Sequence, residues 1–168
     1  VGRITALGGH RPFQGDEFAL AARAGFPDLV EEYTALDEGM RAAFALGIPV
    51  DQWGESSDQP GGTWGVRRYR LPDGTQVDVA AAPSSDPAHR RANTPDTYAW
   101  FASELAALEP GQSVLAVTTP IYVPAQQAAA ERMLALPYGV EVETVGHDPR
   151  LVPEALRQDF TSTKYLQE

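Results

Sequence analysis

A chain of 168 residues has the length of one domain, and at that size about two thirds of the unfolded surface is buried on folding. Its 43% hydrophobic and 21% charged residues suit a chain that folds in water, while 23 acidic against 13 basic side chains leave a net charge of −10 that repels a phosphate backbone and argues against nucleic acid as a partner. There is no cysteine, which excludes disulfides, thiolate zinc sites and cysteine nucleophiles together.

Residues 3–7 (RITAL) form a short apolar run stopped by Gly8 and Gly9, the pattern of a buried parallel strand ending in a tight turn. Residues 16–24 place Phe18, Ala21 and Ala22 at helical spacing and close at Gly25. Residues 28–46 put Leu29, Tyr33, Leu36, Met40 and Phe44 on one stripe, with Gly47 as the expected C-terminal glycine. The composition of residues 49–65, rich in Gly, Ser and Pro, predicts an exposed loop. Residues 66–71 and 75–81 flank Pro72, Asp73 and Gly74, a turn tripeptide, so a β-hairpin is expected whose second arm can serve as a sheet strand.

Residues 97–108 are amphipathic through Tyr98, Phe101, Leu105 and Leu108, with Thr94 as N-cap before Pro95. Residues 113–118 (SVLAVT) predict a central parallel strand, residues 124–136 a helix opening on proline, residues 140–145 a strand nearer an edge, and the chain from Leu151 a final helix. The order of strands and helices predicts one α/β domain over residues 1–168: a Rossmann-like three-layer sandwich with a mostly parallel sheet and an inserted β-hairpin. No apolar run reaches the roughly 18 residues of a membrane span and no signal peptide opens the sequence. The expectation is a cytoplasmic protein, or an envelope-associated one if a leader has been removed.

Ligands of open parallel sheets bind beyond the carboxyl ends of the strands, which selects the loops to inspect. Gly8 and Gly9 allow close backbone approach, and His10 and Arg11 beside them suit an anion. Residues 84–94 are the one locally basic stretch, carrying Ser84, Ser85, His89, Arg90, Arg91, Asn93 and Thr94; a solvated loop before a helix has the same composition. Thr118 and Thr119 end the strand at 113–118 just before a helix, where hydroxyls and free N–H groups converge on phosphate, or where they simply cap that helix. The spacing GxGxxG is absent, as are a P-loop and a GxSxG elbow, so no dinucleotide fingerprint, NTPase or esterase motif is present. His10, His89 and His147 are too scattered for a zinc motif, and no metal is expected. Asp37 and Glu38, mid-helix, are most simply surface charges, although a helix running beside the site could present one of them.

The glycine pair with Arg11, the helix carrying Glu38 and Met40 and closing as LGIP at 46–49, the segment RANTPDTY at 91–98 and VTTPIYVPAQQA at 117–128 occur in an order that resembles the YdcF-like family, the SanA and ElyC types included, over most of the chain. The resemblance implies a Rossmann-like fold and a nucleotide-like or phosphate-bearing ligand. Asn93, Thr94 and Thr97 match its polar stretch before the central helix. The last motif departs: where the family commonly has an aromatic, a histidine and then proline-arginine, this chain has Ile121-Tyr122 and Pro124-Ala125, without that imidazole and that guanidinium.

Three functions compete. The first is a small-molecule enzyme or binding domain holding a phosphate-bearing or nucleotide-like ligand across Gly8, Gly9, Thr118 and Thr119, oriented by Arg11, Arg91 and Asn93, with Tyr122 alongside; no cofactor is named by the sequence. The second is a hydrolase or transferase with His10 or His89 as general base and Ser84 or a water as nucleophile. The third is an interaction domain whose Trp53, Trp64 and hairpin turn contact a protein partner.

Overall fold

A computed structural model describes residues 2–55 and 64–157 of the chain. The protein is a mixed α/β chain that divides into two compact units, Val1–Ala106 and Ala107–Glu168. Among the described residues no helix is long and apolar enough to cross a membrane.

The first unit is built on a four-stranded sheet. Its strands are β1 (Arg3–Gly8), β2 (Asp51–Glu55), β3 (Trp64–Arg70) and β4 (Gln76–Ala81), in the order β1-β4-β3-β2. β1 and β4 run parallel, in register from Arg3 opposite Gln76 to Gly8 opposite Ala81, while β4 with β3 and β3 with β2 are antiparallel. The hairpin around Pro72, Asp73 and Gly74 is therefore the body of this sheet rather than an insert, and β4 is its buried inner strand. β2 and the first two residues of β3 occupy part of the stretch expected to be a loop, and 56–63 lies outside the described residues. Strand propensity is weak in DQWGE, and what holds it is pairing to β3, with Gly54 facing Gly65 and the Arg68 guanidinium 4.8 Å over the Trp53 ring.

α1 (Glu17–Arg23) and α2 (Glu32–Phe44) follow β1. α2 starts later than the stripe of apolar residues suggests, because Glu31 is its N-cap, accepting from the N–H groups of Tyr33 and Thr34, while Phe13 N–H donates to the Val30 carbonyl and holds that segment extended. It also ends earlier. Ala45, not Gly47, is the left-handed C-cap, at φ 50°. Tyr33, Leu36 and Met40 of α2 pack with Tyr69, Val77, Val79 and Ala81 as the core on one face of the sheet.

The other face carries Asp78, fully buried and satisfied by Arg68 Nε at 2.8 Å, Arg3 Nε at 3.0 Å and Gln76 Nε2 at 2.8 Å. It meets α3 (Thr94–Trp100) and the π-helical turn that continues it (Phe101–Ala106): Trp64 lies edge-on to Trp100 at 5.9 Å, and Arg3 donates to the Leu105 carbonyl. The N-cap of α3 is Asn93 rather than Thr94. Its side chain accepts from Asp96 N–H at 3.0 Å while the Asp96 carboxylate accepts from Asn93 N–H at 3.1 Å, a reciprocal capping box that a bare Thr-Pro signal conceals.

In the second unit β5 (Ser113–Thr118) and β6 (Glu141–Gly146) pair in parallel, joined by a 3-10 turn (Pro120–Tyr122), α4 (Val123–Ala130), a π-helical turn (Glu131–Ala135) and α5 (Leu136–Tyr138). Ala130, Leu134 and Val140 are buried there. Among the described residues β5 has one strand partner where a central strand was expected to have two, and Leu115 and Val117 stand 62% and 63% exposed on one side of it. The final helix expected from Leu151 is, over the described residues, two 3-10 turns, Pro149–Leu151 and Glu154–Leu156; Val152, which precedes Pro153, is extended, as residues before proline favour.

Candidate functional site

Parallel register brings the carboxyl ends of β1 and β4 side by side, with Ala82 N–H donating to the Gly8 carbonyl at 3.2 Å. The loops after both strands leave from this edge of the first unit, so two of the segments selected from sequence, 8–11 and 84–94, adjoin. The two glycines differ. A Cβ on Gly8 would come within 3.1 Å of both Glu32 Oε1 and Leu36 Cδ2, so that position is small because α2 crosses it. A Cβ on Gly9 would meet nothing within 4 Å among the described residues, and Gly9 does not have a positive φ. The fold makes no demand for glycine at position 9.

His10 lies edge-on to Tyr33 at 4.6 Å, with Nδ1 3.6 Å from Glu31 Oε2. Burial pulls its pKa below the ordinary 6.5, with the Arg67 charge acting in the same sense and Glu31 opposing, which favours the neutral imidazole. Arg11 is tied down on two sides. Its two terminal nitrogens donate to the two oxygens of Glu17, each at 2.6 Å, and Nε pairs with Glu32. Glu17 also accepts from Gln14 N–H at 2.7 Å. Its carboxyl is held below the usual range first by the Arg11 hydrogen bonds, against burial, then by Gln14 and by the charges of Arg11 and Arg91. Arg11 and Arg91, from the two different loops, thus act on one carboxylate.

Within 84–94, Ser84 is buried and its Oγ accepts from Asp86 N–H at 3.0 Å. His89 Nδ1 pairs with Asp86 Oδ1 at 2.8 Å, and its side chain is 79% exposed. Ser85 Oγ accepts from Arg90 at 2.7 Å, and Arg90 also grips Asp96, whose carboxyl falls well below the usual range chiefly for that reason. Asn93 caps α3 and Thr94 opens it, while Arg91 is exposed.

A buried polar network adjoining His10 escaped the sequence reading. Asp37, read there as a surface charge, is 3% exposed and accepts from Arg67 and from the Tyr69 hydroxyl, both at 2.6 Å; the Arg67 guanidinium lies 5.0 Å over the Tyr33 ring. The signal was available, since Asp37 falls on the Tyr33 and Met40 stripe at i+4 and i+7.

In the second unit Thr118 and Thr119 end β5. His147 N–H donates to the Thr118 carbonyl and Tyr122 N–H to the Thr119 carbonyl, each at 2.9 Å, and the Thr119 side chain makes no cap hydrogen bond. Trp53 and Trp64 are engaged internally, by Arg68 and Trp100. Among the described residues no three His, Asp or Glu side chains are placed to hold a metal ion.

No family model matches the chain, and no solved structure does. It is 30% identical over 154 residues to an uncharacterized protein of Mycobacterium bovis and, to the same extent, to two uncharacterized proteins of Mycobacterium tuberculosis. The match covers 87% of this chain and 42% of each relative, so the chain spans less than half the length of these curated relatives.

Proposed function

We propose that the protein binds a small phosphate-bearing or nucleotide-like molecule at the carboxyl ends of β1 and β4. The observation that carries this reading is the meeting of two loops at one sheet edge: Gly9 is open among the described residues, the Arg11 guanidinium beside it is held by the Glu17 and Glu32 carboxylates, and the exposed Arg91 lies on the adjoining loop. Backbone at Gly9 is free to approach a ligand closely, and a guanidinium fork matches the oxygens of a phosphate. An acidic exterior does not exclude this, because a local set of backbone N–H groups and guanidinium donors can bind a small anion despite it. A Rossmann-like, mostly parallel three-layer arrangement and kinship with the YdcF-like family belong to the same proposal, supported by motif order and by the parallel pairs β1 with β4 and β5 with β6. Calorimetry with a panel of nucleoside phosphates and sugar phosphates tests it. Binding by one member, lost in Arg91→Gln, supports the reading; no binding by any member removes it. Thr119→Ala probes the end of β5 separately.

A second reading, phosphoester hydrolysis or transfer, draws on a neutral His10 beside Glu31 and on His89 oriented by Asp86. Turnover of nitrophenyl phosphate that falls in His10→Asn or His89→Asn supports it, and turnover unchanged in both sinks it.

A further inference from the structure

Glu17 occupies a seat built for an oxyanion. Each of its carboxylate oxygens takes a 2.6 Å hydrogen bond from Arg11, one takes a further bond from Gln14 N–H at 2.7 Å, and the Arg91 charge draws on it. A bidentate guanidinium with an adjacent backbone N–H is a donor set by which proteins hold phosphate, and the charge of Arg91 acts in the same sense. Arg11 has a second carboxylate beside it, since Nε lies against Glu32, without hydrogen-bond geometry, and its backbone carbonyl accepts from Glu32 N–H at 2.9 Å.

The element that carries Glu17 is lightly anchored. α1 has seven residues, none of them buried, and its Phe18 is 48% exposed even though its ring meets Phe13 at 5.6 Å. Few buried apolar contacts mean a low free energy of local opening. We infer that Glu17 is a tethered competitor for the phosphate site: the ligand's anionic group replaces the Glu17 carboxylate on Arg11, and α1 swings away as it does so. This rests on the binding reading above and adds its regulation, since a side chain on the same polymer competes at high effective concentration and sets a threshold that only a stronger, multidentate oxyanion passes. A phosphate dianion carries one more negative charge than the carboxylate it replaces, so it draws more strongly on Arg11 and Arg91.

The test is calorimetric titration of the whole chain with inorganic phosphate and with adenosine monophosphate, in the wild type, Glu17→Ala, Glu17→Gln and Glu17→Ala combined with Arg91→Gln. Removal of the competitor should tighten Kd about tenfold, as when a binding-competent state rises from a tenth of the population to all of it. Arg91→Gln should reverse most of that gain. Glu17→Gln, which keeps the shape and loses the charge, should move Kd in the same direction and decides the matter if Glu17→Ala folds poorly. Wild type that binds, with neither Glu17 variant binding more tightly, would overturn the competitor and leave the binding reading standing. No binding in wild type or in any variant would remove both.

Discussion

Arg67 and Asp37 meet at 2.6 Å between β3 and α2, and the same carboxylate takes a second 2.6 Å hydrogen bond from Tyr69. A buried carboxylate with two donors fixes which face of α2 lies on the sheet, and with it the heights of Glu31, Glu32 and Tyr33 beside His10 and Arg11. Removing one partner leaves the other desolvated without compensation. Asp37→Leu should lower the stability by about 3 kcal/mol or more, and Asp37→Asn, which still accepts from Tyr69, by less. Urea unfolding followed by far-UV circular dichroism reads both, and equal midpoints for wild type and Asp37→Leu would refute the packing role.

Gly54 and Gly9 should respond in opposite ways to the same substitution. At Gly54, φ is 155° and a Cβ would lie 2.5 Å from the Trp64 carbonyl oxygen and 2.6 Å from Gly65 Cα. Gly54→Ala should therefore cost roughly 2 kcal/mol or more and redden the tryptophan emission as Trp53 loses its place under Arg68. Gly9→Ala should change stability by no more than about 0.5 kcal/mol, yet weaken phosphate binding by crowding the approach. Thermal melts and titrations on both variants make the comparison.

Ala45 closes α2 in the left-handed region, where a Cβ is strained. Ala45→Gly should raise stability by about 0.5–1 kcal/mol, the strain relieved exceeding the extra entropy of glycine in the unfolded chain. A lower melting temperature would show that the cap is not the strained feature.

Acid should weaken the fold in two stages. His10 has a folded pKa below 6.5, so under pH 6.5 the unfolded chain takes up a proton that the folded chain resists, and stability begins to fall there. Glu17 and Asp96 have folded values below their ordinary 4.5 and 3.8, so their contribution is complete above those values and disappears as the pH drops through the folded ones. At the alkaline end Tyr33, pushed up to about 12 by burial, keeps its proton while the unfolded chain loses it near 10, so stability declines across that interval. Unfolding free energies from pH 3 to 11 give the profile, and His10→Asn should remove the upper acid step alone.

Where a segment's own pattern decides its structure, the sequence was readable. Residues 113–118 and the turn at Pro72, Asp73 and Gly74 are of this kind, as is the end of β1 at the glycine pair. Where the partner decides, it was not. β2 exists through Gly54 opposite Gly65 and Trp53 under Arg68, none of which is visible in DQWGE alone. The burial of Asp37 was not legible, because a carboxylate on an apolar stripe becomes buried only when a strand supplies Arg67 and Tyr69 two residues apart. Asn93 displaced Thr94 as cap because Asp96 completes the reciprocal pair. At the candidate site the residue types of 8–11 and 84–94 were legible, but the role of Glu17, which lies in neither loop, required the geometry.

The most direct test of the binding site is a nitrogen–proton correlation spectrum of the labelled chain, titrated with the nucleoside phosphate that binds best in calorimetry. The account predicts the largest shifts at the amides of Gly9, Arg11, Glu17, Ser85 and Arg91, with the hairpin turn at Asp73 and Gly74 unmoved. Saturable shifts confined to that turn, or none at any phosphate concentration, would contradict it.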